Sequence, residues 1–432
     1  MQIVSVGQKD LPFDDLFCRT MVFRGANSFK ISIEGFKEGN KMGKRKGIEV
    51  SLAVSEAVKL ANVDVIAAYP ITPQTHIVEH LSELVADGEL DAEYVCVESE
   101  HSAMSACLGS SAAGARTFTA TAGQGLELMH EVVYCASSMR LPIVMAVANR
   151  ALSAPLSVWG DHSDIMAVRD TGWISVFVEN GQEAFDHTIW AFKVAEDKRV
   201  LFPVMVNLDG FHLTHVVEPI FIEDQEKVDA FLPKNNYPTP LNPKKPVNMG
   251  TFAPPNIYTE IKFSQEEAFL SIRPVIDEMW SDFAKHFGRE YKAVETYKAD
   301  DAETVIFTMG SYSQTASVAV DMLREKGQKV GQVKLRLWRP FPFEDIRNAL
   351  RGKKRVIILD RCVSSGGPGG PVASEVRNAL YDLKDRPAIA GFIAGLGGRD
   401  ILPNQFVEII EKGIKAADSG QDMPFEFYGV RK

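Results

Sequence analysis

An α/β architecture with two doubly wound domains is what this sequence predicts, and three observations carry the prediction. From about residue 48 to 220, short apolar strand patterns alternate with helical patterns. The same alternation resumes near residue 300. Between the two lies a proline cluster: Pro233, Pro238, Pro240, Pro243, Pro246, Pro254 and Pro255. Alternation of this kind implies mostly parallel sheets covered by helices on both faces. The length of 432 residues agrees, because domains of roughly 150 residues make two or three of them.

Composition narrows the class. Hydrophobic residues make up 45% and charged residues 24%, which excludes a mainly disordered chain. No stretch approaches the ~20 apolar residues of a membrane span. Lysine plus arginine number 47 against 57 aspartates and glutamates, a net charge of −10. That balance argues against non-specific nucleic-acid binding. Cys18, Cys96, Cys107, Cys135 and Cys362 form no C-x-x-C pair, so neither a zinc knuckle nor a cluster motif is present. Scattered cysteines in odd number suit a reducing cytosol, and a cytoplasmic location is expected. The opening MQIVSVGQKDLPFDD lacks the basic start and apolar core of a secretory signal.

The elements follow in order. Residues 1–45 read as an N-terminal extension with short apolar runs and a basic stretch from Lys41 to Lys46. Either they pack on a neighbour, or Met42 is the natural start. Strands are expected at Asp64–Tyr69, Glu93–Val97, Arg116–Thr121, Pro142–Asn149, Trp173–Val178 and Phe202–Leu208. Helices are expected at Gln74–Ala86, His101–Gly114, Leu126–Met139 and Gln182–Ala195. The prolines then impose an irregular connector, since proline breaks helices and cannot donate to a ladder. A helical run at Gln265–Phe287 could pack across both domains. The second domain has strand patterns at Thr304–Met309, Lys329–Leu337, Arg355–Asp360 and Ile389–Ala394. Its helices are expected at Ser313–Lys326, Phe343–Leu350, Pro371–Leu383 and Pro403–Ala416.

Chemistry-bearing residues gather where strands end, as ligand sites do in open α/β sheets. In YPITPQT, two prolines pin the backbone around Thr72; the alternative is a capped helix start. In VESEH, Glu98 and Glu100 share a face of an extended strand. A carboxyl there suits acid–base work, or simply favours the next helix's positive end. In TATAGQG, Gly123 and Gly125 allow close approach of backbone to ligand, but neither G-x-G-x-x-G nor a P-loop is present. Arg150 ends a further strand and offers a planar fork to a carboxylate, or a structural salt bridge. Asp161, His162 and Asp164 could ligate a metal, but such loops more often fix themselves. Ser364–Gly370 could bind an anion or form a tight turn.

Four segments in this order, YPITPQT, VESEHSAMSA, TATAGQGLELMHE and NRALSAPLSVWGDHSD, make the chain similar to the alpha subunits of pyruvate-type 2-oxoacid:ferredoxin oxidoreductases. LDGFHLTH, VIILDRCVSSGGPGGP and GFIAGLGGRD extend the resemblance over residues 48–415. It implies a pyrimidine-binding thiamine-diphosphate domain at 46–231, a connector and helix at 232–299, and a transketolase C-terminal-like domain at 300–432. It also implies oxidative decarboxylation of a 2-oxoacid, with coenzyme A, to acyl-CoA and CO2. Electrons would pass to iron–sulfur clusters in other chains.

Carried over residue by residue, Glu100 corresponds to the glutamate that bonds N1′ of the aminopyrimidine. Thr72 corresponds to the threonine that reaches the substrate, and Arg150 to the arginine that pairs with its carboxylate. Tyr69, Pro70, Ile71, Gly123 and Gln124 would line the cofactor. No metal is expected on this chain. Mg2+ and the diphosphate would sit on a beta chain, because no Gly-Asp-Gly occurs here. Beta, gamma and ferredoxin-like partner subunits are implied, with ferredoxin or another electron acceptor. One departure stands out: Ala122-Gly123 replaces the usual serine before Gln124-Gly125. The missing side chain could make room for an aryl 2-oxoacid such as phenylglyoxylate. A non-oxidative thiamine enzyme subunit and a non-catalytic assembly subunit remain the alternatives at this level.

Overall fold

Buried, β-rich runs become the central strands, and amphipathic runs become the helices that cover them. The computed structural model describes residues 43–419 and 423–431. Most of the expected extension, residues 1–42, lies outside the described residues. Its expected end at residue 45 falls inside a strand, β1 (Lys44–Glu49).

The first half continues with α1 (Val50–Leu60), β2 (Val65–Ala68), α2 (Thr75–Ala86), β3 (Glu93–Cys96), α3 (Glu100–Ala112) and β4 (Thr117–Thr121). Then come α4 (Gln124–Leu128), α5 (His130–Ser138), β5 (Ile143–Asn149), α6 (Ser163–Ala167), β6 (Ile174–Phe177) and α7 (Gly181–Glu196). β7 (Val204–Asp209), β8 (Val217–Ile222) and α8 (Gln225–Phe231) complete it. The connector carries α9 (Pro255–Ser271) and α10 (Arg273–Phe287). The second half runs β9 (Val294–Tyr297), β10 (Thr304–Met309), α11 (Tyr312–Glu325), β11 (Val330–Leu335), β12 (Leu337–Arg339), α12 (Phe343–Leu350) and β13 (Arg355–Asp360). It ends with α13 (Pro371–Leu380), β14 (Ala388–Ile393), α14 (Pro403–Asp418) and β15 (Met423–Phe427).

Three sheets result. Seven strands order as β12-β6-β7-β5-β4-β2-β3, six as β15-β14-β13-β10-β11-β9, and β1 pairs with β8. Within the seven, every pairing is parallel except β12 against β6. Every residue of β4 and β5 is buried, as a parallel strand covered on both faces requires. The chain passes from β3 back over β2 to β4. That reversal opens a crevice between the carboxyl ends of β2 and β4, where such sheets bind ligands.

Several expectations needed correction. The helix expected at Leu126–Met139 is two helices, α4 and α5, joined at buried Met129. The run at Gln265–Phe287 is also two helices and starts ten residues earlier, at Pro255. Pro274 divides them, because it lacks an N–H and crowds the preceding turn. The strand expected at Lys329–Leu337 splits, and its second part, β12, leaves its own domain to edge the first sheet beside β6.

α10 does span both halves. Trp280 stacks on Trp190 of α7 at 5.0 Å, and Arg273 donates to Asp345 of α12 at 3.0 Å. The halves are also welded at Asp209, which ends β7 and is fully buried. Its carboxylate accepts from His162 Nε2 at 2.8 Å, from Ser311 N and Oγ at 2.7 and 2.6 Å, and from Arg361 Nη1. Burial alone would raise this carboxyl, but Arg361, His162 and Ser311 hold it well below the usual carboxylate range.

Candidate active site

The turns after β2, β3, β4 and β5 meet at the crevice. After β2, the chain runs through Tyr69, Pro70, Ile71 and Thr72 into α2. Thr72 is exposed, and Gln74 behind it is fully buried. The Gln74 amide donates to the carbonyls of Tyr69 (2.8 Å) and Ala120 (3.3 Å). It thereby ties the Thr72 turn to the end of β4. Gln74 Oε1 is buried without a partner.

After β3, Ser99 caps α3 by accepting from Ser102 N at 3.2 Å. Glu100 is the first residue of that helix and only 6% exposed. Among the described residues its carboxylate has neither a hydrogen-bond nor an ion-pair partner. Glu98 behaves differently: it is exposed and accepts from Ser102 Oγ at 2.6 Å. That hydrogen bond holds its carboxyl below the usual value. The two glutamates therefore separate, one into the crevice and one onto the Ser102 hydroxyl at the surface.

After β4, Gly123 takes φ +49°, in the region that favours glycine. A side chain there would stand 3.0–3.2 Å from the Arg150 side chain. Gly125 is glycine for a steric reason. A Cβ would lie 2.7 Å from Glu100 Oε1 and 2.6 Å from Thr121 Oγ1. The Glu100 carboxylate thus rests on a turn made for it.

After β5, Arg150 is 6% exposed and spans the crevice. Nη1 donates to the Thr72 carbonyl (2.8 Å), Nη2 to Gln124 Oε1 (3.0 Å) and Nε to the Ser157 carbonyl (3.2 Å). Two guanidinium N–H groups remain for a ligand. Burial lowers its pKa, while Asp164 and Glu100 raise it.

The structure therefore brings Thr72, Glu100, Gly123, Gln124 and Arg150 together, with Tyr69, Pro70 and Ile71 on the adjoining turn. Sequence reasoning named Asp164 only as a metal-ligand or loop-fixing candidate and missed that it locks them. Fully buried Asp164 accepts from Gly123 N (3.0 Å) and Arg150 N (2.9 Å) through one oxygen. The other accepts from Ile165 N (2.7 Å) and Asn149 Nδ2 (3.1 Å). Burial pushes its carboxyl up to about 7, against the pull of these donors. Only the fold shows that Asp164, in α6, 14 residues beyond Arg150 and 41 beyond Gly123, closes over both turns.

The other candidates resolve as structural. Asp161 accepts from Ser163 N (2.9 Å), Ser163 Oγ (2.6 Å) and Gly397 N (3.1 Å). His162 bonds Asp209. The 161–164 segment is held by its own hydrogen bonds. The glycine-rich 364–370 segment precedes α13, but Asp360 already sits at that helix end. It accepts from Val372 N (2.8 Å) and Ala373 N (3.0 Å), and a Cβ at Gly370 would overlap its carboxylate. The anion is the chain's own side chain.

The residues fit half of a thiamine site. An unpartnered carboxylate beside glycine turns suits a neutral heteroaromatic ring with nitrogen donors. Nothing among the described site residues suits a diphosphate with its metal.

Comparison with known proteins agrees. Residues 56–281 match the pyruvate flavodoxin/ferredoxin oxidoreductase, thiamine diphosphate-binding family, and residues 302–406 match pyruvate:ferredoxin oxidoreductase core domain II. The chain belongs to this oxidoreductase family. The pyruvate synthase subunit PorA of Methanothermobacter thermautotrophicus is 51% identical over 85% of this chain and 94% of its own. The ketoisovalerate oxidoreductase subunit VorA of Pyrococcus horikoshii is 42% identical over 90% and 98%. The 2-oxoglutarate:ferredoxin oxidoreductase of Magnetococcus marinus aligns over 86% of this chain and 66% of its own. Its TM-score is 0.66 at 20% identity, which shows a shared fold. As a family member the chain is a thiamine-dependent 2-oxoacid oxidoreductase subunit, as the four strand-end segments implied. No helix among the described residues is long and apolar enough to cross a membrane.

Proposed function

We propose that this oxidoreductase subunit acts on pyruvate in the cytoplasm, together with beta, gamma and ferredoxin-like chains. The partner chains supply the diphosphate and Mg2+ site, the iron–sulfur clusters and a route to ferredoxin. The observation that carries the reading is the pairing of an unpartnered, buried Glu100 with the Arg150 fork across one crevice. Thiamine diphosphate, when bound, supplies the carbon nucleophile for the 2-oxo carbon and the electron sink for loss of CO2. Glu100 holds or gives a proton at a ring nitrogen of the aminopyrimidine. The free N–H groups of Arg150 orient the substrate carboxylate. Tight pairing there would oppose CO2 release, so the contribution is alignment. The Thr72 hydroxyl stands on the same rim, on a turn that Arg150 itself grips. The buried turns after β4 and β5 limit water access from that side of the crevice.

Similarity to pyruvate synthase subunits favours pyruvate, and Gly123 gives an aryl 2-oxoacid no support. The space its missing side chain leaves is taken by Arg150, so that glycine adds no room for a ring. The test is viologen reduction by the intact complex, purified without oxygen and supplied with coenzyme A. Pyruvate, 2-oxoisovalerate and phenylglyoxylate are compared. We expect kcat/KM highest for pyruvate; preference for phenylglyoxylate would overturn the substrate reading. Glu100→Gln should reduce the pyruvate rate by about 10²-fold or more in a complex that still assembles. Unchanged turnover would instead favour a non-catalytic assembly role.

A further inference from the structure

The structure holds a second cluster of ligand-type side chains that the proposed reaction does not use. Glu49 ends β1, His76 is the second residue of α2, and His215 lies in the loop after β7. One ligand atom from each falls within 4.8 Å of the others, and all three residues are partly buried. They lie far apart in sequence, so the fold alone assembles them.

We propose that Glu49, His76 and His215 bind one divalent ion of the zinc, cobalt and nickel class. Two imidazoles and one carboxylate suit these ions better than Mg2+ or Ca2+, which take oxygen ligands. Three protein ligands leave the fourth tetrahedral position to water. Water can reach it, because the His76 side chain is 42% exposed.

The surroundings supply what a histidine ligand needs behind it. His215 Nδ1 lies 2.8 Å from Thr214 Oγ1, which accepts from Phe211 N at 2.9 Å. With its proton on Nδ1 donated to Thr214, His215 keeps a free lone pair on Nε2. The Phe211 ring walls the other side at 4.6 Å. His76 Nδ1 and Glu49 Oε1 stand 2.7 Å apart, a hydrogen-bond distance. Donors of one tetrahedral ion stand about 3.3–3.5 Å apart. His76 and Glu49 therefore part slightly and His215 closes in as the ion enters.

Such an ion would tie together three segments behind the Thr72 turn. Gly210, in the loop that leads to His215, packs so closely that a Cβ would stand 2.7 Å from Pro73. Occupancy should stiffen the mount on which Thr72 sits. The inference does not depend on which 2-oxoacid is turned over.

The test uses the intact complex, dialysed against zinc chloride with Mg2+ and thiamine diphosphate present. Zinc per alpha chain is read by mass spectrometry. The wild type should hold one zinc more than His76→Gln or His215→Gln, and Glu49→Gln should bind it 10–100-fold more weakly. Zinc-soaked wild-type crystals should show an anomalous peak at these three side chains, which decides the matter even where a variant fails to assemble. Equal zinc in wild type and both histidine variants, or no peak at the cluster, would overturn the proposal.

Discussion

At the scale of single residues, function rests on what each carboxylate is given to do. Glu98 and Glu100 are two positions apart, yet one accepts from the Ser102 hydroxyl at the surface and the other lies unpartnered in the crevice. Asp164 is a third case, with every acceptor position engaged by Gly123, Arg150, Ile165 and Asn149. Burial pushes its carboxyl from 3.8 up to about 7. The native state therefore holds this proton more tightly than the unfolded chain does. The group's contribution to stability is full below about pH 4 and is lost as pH rises through about 7. For catalysis the sign reverses, because a proton on Asp164 must displace one of the donors that set Arg150 and Gly123. We expect kcat to fall as pH drops below about 7, and Asp164→Asn to flatten that limb. The same variant should lower the rate at pH 8 roughly tenfold, since one backbone N–H loses its acceptor. A pH–rate profile recorded beside Tm against pH checks both signs; an acid limb identical to wild type would remove Asp164 from the mechanism.

At the scale of elements, the site is a set of turns fitted to one another. The Gly125 turn at the head of α4 accepts the Glu100 carboxylate from the head of α3, because no Cβ intervenes. Gly125→Ala is expected to displace Glu100, since Thr121 Oγ1 and Glu100 Oε1 would both stand under 3 Å from the new methyl. Displacements of about 1 Å at a reacting group cost up to 10²-fold. We expect a loss of that order in kcat with α3 and α4 intact by circular dichroism. Full activity would show that Glu100 does not need this seat. The turns themselves were readable: YPITPQT, VESEH, TATAGQG and NRAL all announce strand ends by proline, glycine or charge after an apolar run. The breaks within helices were less so. Met129 gives no compositional sign that α4 and α5 part there, whereas Pro274 does mark the break between α9 and α10.

At the scale of the whole molecule, Asp209 joins the two halves through His162, Ser311 and Arg361. Removing its charge leaves Arg361 buried without its carboxylate. Asp209→Asn should cost about 3–5 kcal/mol, seen as a Tm drop of several degrees by calorimetry. The native carboxyl sits below its unfolded value, so its contribution is present above about pH 4 and lost as pH falls through the depressed pKa. The gap in Tm between wild type and variant should therefore persist at neutral pH and shrink in acid. A variant as stable as wild type would mean that α10 and β12 hold the halves together without this weld.

Local order was legible from the sequence alone. The alternation of strand and helix, the proline connector and the strand-end segments depend on neighbours within a few residues, where period and turn chemistry act. Thr72, Glu100, Gly123 and Arg150 stand out at their own turns, but the family resemblance, not the turn chemistry, assigned roles to them and to Gln124. The tertiary structure decided what distance in sequence hides. It set Asp164 over two turns, Asp360 in the anion seat of α13, β12 in the other domain's sheet, and Glu49 beside His76 and His215. Each of these is a contact between segments whose sequences carry no trace of one another. Burial and hydrogen-bond satisfaction select such contacts only when the whole chain has closed.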